Sequence, residues 1–212
     1  MTPPNQPQPP SADAPDREAR HQQRMARKQA VIQSHITAAD QRRGVLLIHT
    51  GNGKGKSSAA FGLVARALGH GLGVAVVQWV KSRSDTGEEA FFRRQPGVAW
   101  QVMGEGFTWD TQDRQRDQEA ARRAWAAAVP YLTDPKVGLV VLDELTYAFK
   151  YGWLDLAPVL AVLAARPAGQ HVVITGRGAP PELVAAADTV TDMGMVKHAF
   201  QAGVAAMPGV EF

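Results

Sequence analysis

The 212-residue chain contains no cysteine. Disulfide staples, thiolate metal sites and thiol nucleophiles are therefore excluded, and the composition suits a reducing compartment. No apolar run comes near the roughly 20 residues that a membrane-spanning helix needs. The chain begins with neither the charged start nor the apolar stretch of a secretory signal. These absences predict a cytoplasmic protein with no membrane partner. Basic surplus is also missing from most of the chain. Residues 13–43 carry seven Lys/Arg against four Asp/Glu, whereas residues 44–212 carry 16 of each. A nucleic-acid-binding body normally has a basic excess of its own, so nucleic acid is not an expected partner. Metal-ligand spacing is absent from His49, His70, His171 and His198, and no Ser/His/Asp or Cys/His constellation stands out.

What is present falls into three segments. Residues 1–15 are rich in Pro and Gln and predict a disordered tail. Residues 16–43 form a basic arm. Its first part, 16–39, lacks Pro and Gly and predicts a helix whose apolar stripe, Met25, Ile32 and Ile36, is too thin to fold alone. Such an arm is either a solvated tail or a segment that orders on a ligand or another subunit. Residues 44–212 change character, with short apolar runs at 45–48, 74–77, 99–102, 139–142 and 171–174 that read as buried parallel strands. Helical stretches lie between them at 56–69, 86–95, 113–132, 155–165 and 181–187. Asp155 is placed to cap one helix, and Pro180-Pro181 suits the start of another. The alternation predicts the α/β class, a mostly parallel sheet with helices on both faces.

The first strand runs into Gly51-Asn52-Gly53-Lys54-Gly55-Lys56-Ser57 and then a helix. Glycines in that context let successive N–H groups converge on phosphate, and the helix adds its positive end. Lys56, expected as a surface loop side chain, supplies a cation, and the Ser57 hydroxyl is placed for Mg²⁺. Thr50 stands where the usual pattern has a first Gly. The fourth strand ends in Asp143-Glu144, the position at which P-loop proteins hold their metal. Arg177, between two glycines after the last apolar run, is placed to meet phosphate. Phe107 and Trp109 lie in a Gly-flanked loop and read either as packing beneath it or as a platform for a flat apolar ligand. These residues leave several activities open: a P-loop ATPase or kinase acting on the γ-phosphate, a RecA-like nucleic-acid module, or a group transfer from the nucleotide.

The segments Thr50–Gly62, Gly104–Trp109, Asp143–Tyr147 and Thr175–Gly178 closely resemble the P-loop ATP:corrinoid adenosyltransferases of cobalamin biosynthesis and salvage. The likeness runs in order from about Arg20 to Phe212. It implies a P-loop NTPase, RecA-like architecture, and transfer of the 5′-deoxyadenosyl group of ATP to cobalt(I) of a corrinoid with release of triphosphate. It implies ATP contacts from Gly51, Asn52, Gly53, Lys54, Gly55, Lys56, Ser57, Ser58 and Arg177. Mg²⁺ would be held by Ser57 and Glu144, with Asp143 second. Corrinoid contacts would come from Arg66, Phe107 and Trp109, the two aromatics displacing the lower axial ligand. Arg20, His21, Arg24 and Met25 would belong to a helix folding over the occupied site. A homodimer is implied, and a reductase or reduced flavoprotein supplying electrons.

Overall fold

In the computed structural model the described residues are 14–80, 86–103 and 114–211. Most of the Pro-rich stretch, and both Phe107 and Trp109, lie outside them. The chain divides into two units, residues 1–42 and 43–212. Among the described residues the first contributes one helix, α1 (Ala14–Ala38). Along it Met25, Val31, Ile32 and Ile36 are all exposed, as are Arg20, His21 and Arg24.

The second unit contains a six-stranded sheet built from β1 (Leu46–Thr50), β2 (Gly73–Gln78), β3 (Val98–Val102), β4 (Val137–Asp143), β5 (His171–Thr175) and β6 (Thr189–Asp192). Its order is β3-β2-β4-β5-β1-β6 and every pair is parallel. Among the described residues its helices are α2 (Lys56–Gly69), α3 (Gly87–Phe92), α4 (Arg114–Thr133), α5 (Thr146–Lys150), α6 (Leu156–Ala164) and α7 (Pro181–Ala186), followed by a 3₁₀ turn at Ala199–Ala202.

Period-two alternation divides the apolar strands between two cores. Val140 and Leu142 of β4 and Val172 and Ile174 of β5 face one core with Ala124 and Ala128 of α4, Val159 and Leu163 of α6, and Leu183 of α7. Leu139, Val141 and Val173 face the other with Phe61 and Val64 of α2 and Phe92 of α3. Phe61, Phe92 and Trp100 form an aromatic cluster there, with Phe61 and Trp100 centroids 5.2 Å apart. Handedness explains which helix covers which face. Parallel crossovers are right-handed, so moves one way along the sheet carry their helices on one face and moves the other way on the opposite face. The β1-to-β2 and β2-to-β3 moves put α2 and α3 together, and the β3-to-β4, β4-to-β5 and β5-to-β6 moves put α4, α6 and α7 on the other side.

The five expected strands and the helices at 56–69, 113–132, 155–165 and 181–187 are present within a residue or two, and the 86–95 helix is shortened to Gly87–Phe92. The sheet is wholly parallel. Asp155 occupies the N-cap position of α6, yet its side chain makes no capping hydrogen bond. Pro180 and Pro181 do open α7. Three elements were not foreseen: the 3₁₀ turn at Ala199–Ala202, β6 and α5. β6 is a short exposed edge strand, Thr-Val-Thr-Asp, with no apolar run to announce it. α5 follows the acidic pair directly, with Thr146 and Ala148 buried.

Gln170, 1% exposed, anchors the loop that closes α4 onto β4. Its Nε2 donates to the carbonyls of Tyr131 and Val137, both at 2.9 Å, and of Asp134 at 3.2 Å. Gln170→Leu keeps the volume and removes the donor from three part-buried carbonyls. It should cost about 2–3 kcal/mol, read from the chemical denaturation midpoint. A loss below about 0.5 kcal/mol would show that these carbonyls find other partners.

Candidate functional site

Chain exits decide where a site can form. At the carboxyl edge of the sheet the chain leaves β1 towards α2 on one face and leaves the adjoining β5 towards α7 on the other. Such a divergence opens a crevice. The loop after β1 lies in it, with the ends of β4 and β5 alongside.

The loop is pinned from beneath by the segment leaving β6. Gly53 N–H donates to the Met193 carbonyl at 2.7 Å, and Met193 N–H donates to the Thr50 carbonyl at 2.9 Å. That segment leaves no space for side chains above it. A Cβ on Gly51 or Gly53 would lie 2.6 Å from the Met193 oxygen, and Gly51 has φ +97°. Thr50, in place of the usual first glycine, continues β1 and pairs with Asp192 of β6. Gly55 caps α2 in the left-handed region, and Lys56 opens the helix.

A cavity of about 360 Å³ lies above the loop. Gly53, Lys54, Gly55, Lys56, Ser57 and Ser58 line it, with Glu144 and Arg177 across from them. Gly51 and Asn52 turn the chain below and are not on its wall. Tyr147, Val80, Glu88, Val210 and Glu211 complete the lining and were not assigned from sequence. Tyr147 stood in a quoted motif without a role. Glu211 pairs with Lys54 across 157 residues, and nothing local announces that contact.

Lys56 is not the surface side chain expected of it. It is 6% exposed, and its Nζ donates to the Gly53 carbonyl at 2.6 Å. Burial lowers its pKa, opposed by the nearby Glu144 carboxylate and reinforced by Arg177 and Lys54. Glu144 is the counterpart. Burial first, and the Asp143 charge second, push its carboxyl up to about 7, against the pull of Lys56 and Arg177. Its Oε2 is buried without a hydrogen-bond partner.

The two adjacent carboxylates, ranked from sequence with Glu144 before Asp143 as metal candidates, have different surroundings in the structure. Asp143 is 3% exposed and both its oxygens are taken, Oδ1 by the Thr175 hydroxyl at 2.7 Å and Oδ2 by Gln78 Nε2 at 2.9 Å. Glu144 is the one that faces the cavity. Arg66 also stands apart. It lies in the last turn of α2, ten residues beyond Lys56 and so about 15 Å along the helix. There it lines a separate, mostly apolar cavity of about 250 Å³ with Leu63, Ala67 and Leu139.

A strand-to-helix glycine loop, a buried lysine at the helix start and a carboxylate at the end of β4, two strands away, mark a P-loop NTPase-like protein of the α/β class. The comparisons with known proteins name the branch. The family described as ATP:corrinoid adenosyltransferase BtuR/CobO/CobP matches residues 42–212, and a cobalamin adenosyltransferase N-terminal family matches residues 10–32. The chain is 62% identical over 201 residues to the corrinoid adenosyltransferase of Pseudomonas aeruginosa, covering 94% of this chain and 99% of that one. It is 45% identical over 193 residues to corrinoid adenosyltransferase CobA of Salmonella typhimurium, covering 91% and 98%. A Sinorhizobium corrinoid adenosyltransferase is 41% identical over 204 residues, 95% of each chain. The chain belongs to the ATP:corrinoid adenosyltransferase family and is an enzyme of that type. No helix among the described residues is long and apolar enough to cross a membrane.

The elevated carboxyl at Glu144 makes a signed prediction for the protein free of metal and nucleotide. An acid raised from 4.5 to about 7 on folding holds an extra proton in the native state between those values. Native stability therefore falls as pH rises through that window, by up to about 3 kcal/mol. Glu144→Gln mimics the protonated form and should escape the fall. Its melting temperature relative to wild type should rise steadily from pH 5 to pH 8 in the presence of a chelator. A difference that stays constant across this range would contradict the assignment.

Proposed function

We propose that the chain transfers the 5′-deoxyadenosyl group of ATP to cobalt(I) of a corrinoid and releases triphosphate. Membership of the ATP:corrinoid adenosyltransferase family supports this most strongly, and Lys56 and Arg177 on the wall of the glycine-loop cavity offer cations to the leaving group. Cobalt(I) is itself a strong nucleophile, so the protein has to align the 5′ carbon and stabilise the leaving charge. The wall of the cavity suits that task, since no His or Cys lines it among the described residues. In the proposed step cobalt(I) attacks the 5′ carbon, the carbon–oxygen bond breaks, and its electron pair departs on triphosphate. The α-phosphate then occupies the place usually taken by γ-phosphate. Loop N–H groups, Lys56 and Arg177 hold the departing oxygens.

Mg²⁺ fits the donors present. Ser57 offers a hydroxyl on the cavity wall, and Glu144 Oε2 is a buried oxygen lacking a partner. One or two protein oxygens plus substrate phosphates are the usual Mg²⁺ complement. Ser57 and Glu144 would hold it, and it would supply further neutralisation of the triphosphate. Asp143, already committed to Gln78 and Thr175, would act from behind Glu144.

The remaining roles rest on family likeness. Phe107 and Trp109 would exclude the lower axial ligand of cobalt(II) and so ease its reduction. Arg66, at the far end of α2, would contact the corrinoid, and two copies of the chain would form a homodimer. Arg20, His21, Arg24 and Met25 would cover the occupied site. A reductase or reduced flavoprotein would deliver electrons in the cytoplasm, serving biosynthesis or salvage of adenosylcobalamin.

The phosphate product separates this reading from an ATPase or kinase. With Mg-ATP and chemically reduced corrinoid, wild type should yield triphosphate and a cobalt–carbon bond in equal amounts; ADP as the main product would refute the proposal. Lys56→Ala should lower kcat at least about 100-fold, the scale of one lost transition-state donor. Because Lys56 is buried, the variant's melting curve is needed to show that the protein remains folded. Phe107→Ala should fail with a biological reductant and recover much of its rate with pre-reduced cobalt(I). Equal losses with both would remove the axial-ligand role.

A further inference from the structure

Glu144 is the one non-glycine among the described residues with a left-handed backbone, φ +61°. A glutamate keeps that conformation only where its surroundings fix it. The fixing contacts form a directed chain across four strands. Trp100 Nε1 can only donate, and it donates to Gln78 Oε1 at 3.0 Å. The amide of Gln78 is thereby oriented, with Nε2 donating to Asp143 Oδ2 at 2.9 Å. Asp143 Oδ1 accepts the Thr175 hydroxyl at 2.7 Å. With its proton committed, Thr175 Oγ1 accepts the Glu144 backbone N–H at 2.9 Å. Gly176 leaves the room that the turned side chain needs: a Cβ there would lie 3.1 Å from Glu144 Oε2 and collide with the Thr146 hydroxyl.

We propose that Thr175 is a positioning residue for the metal-binding carboxylate, with Asp143 and Gln78 its supports rather than ligands. Each bond in the chain leaves its donor and acceptor only one arrangement, so the hydroxyl of Thr175 is fully specified. It is the link through which the buried charge of Asp143 sets the backbone of Glu144. The proposal rests on the reading that Glu144 meets Mg²⁺ with the nucleotide. Groups that orient a metal ligand from behind typically change metal affinity 10–100-fold when removed.

The test uses the full chain and measures ATP binding as a function of Mg²⁺ concentration, with and without chelator. Thr175→Val keeps the shape and removes the hydroxyl. It should raise the half-saturating Mg²⁺ concentration at least tenfold while leaving chelator-bound ATP affinity within about twofold. Thr175→Ser should restore the wild-type value. In a Glu144→Gln background, Thr175→Val should add nothing further, because both act through one carboxylate. Unchanged Mg²⁺ dependence in folded Thr175→Val, failure of Thr175→Ser to rescue, or additive effects in the double variant would each overturn the proposal. Should Thr175→Val fail to fold, Gln78→Met tests the same chain from the other side of Asp143, with weaker Mg²⁺ dependence expected and an unchanged one decisive against. Wild-type binding indifferent to Mg²⁺ would sink the metal reading and this inference together, whereas a dependence that Thr175→Val retains sinks the inference alone.

Discussion

Right-handed crossover in a parallel sheet is the constraint on which the rest of this molecule depends. It sends α2 to one face as the chain moves from β1 to β2, and α7 to the other as it moves from β5 to β6. Because β1 and β5 are neighbours, their exits diverge and leave a crevice. The amino end of α2 points into that crevice, and the ends of β4 and β5 supply Glu144 and Arg177 from the side. The apolar alternation of the central strands, which fills both cores, therefore also fixes the place where polar groups converge.

Burial gives that convergence its chemistry. Lys56 and Glu144 are both drawn out of water, and each is shifted towards its neutral form by that burial while attracting the other's charge. An incoming polyphosphate with a divalent cation would supply what each lacks: anionic oxygens for Lys56, and a positive partner for the orphaned Glu144 oxygen. The site is thus arranged around charges that are incompletely satisfied within the protein, as expected where a ligand completes the network. Lys54 differs. It is exposed, and Glu211 already neutralises it. A surface pair of that kind contributes little to stability and exchanges partners easily.

The buried chain from Trp100 to Glu144 shows how a core can transmit orientation. Its members come from β3, β2, β4 and β5, whose parallel register sets Gln78 beside Asp143 and aligns Val76 with Trp100. A hydrogen-bonded network in such surroundings is costly if broken and rigid if complete. Here it ends at a backbone amide, so its effect is on the direction of a side chain that itself makes no bond within the chain of contacts.

Much of this was legible from residue order. The apolar runs of β1, β2, β4 and β5, the glycine loop ahead of Lys56, and the acidic pair closing β4 are local patterns, each imposed by the chemistry of adjacent residues. The four motif segments were sufficient to indicate the family. β6 was not legible, because a four-residue exposed edge strand has no apolar periodicity and exists only by pairing with β1. The same holds for the burial of Lys56, the pairing of Lys54 with Glu211, and the distance of Arg66 from the loop. The division between Asp143 and Glu144 is the clearest case. The family likeness ranks Glu144 ahead of Asp143, but residue order gives no physical reason for it; they differ because successive side chains point to opposite sides and Glu144 takes a left-handed backbone. Residue order determined the fold class, the phosphate loop, the family and the preference for Glu144 over Asp143; only tertiary structure supplied the physical reason for that preference, since it depends on Gln78 and Thr175, which reach Asp143 from neighbouring strands.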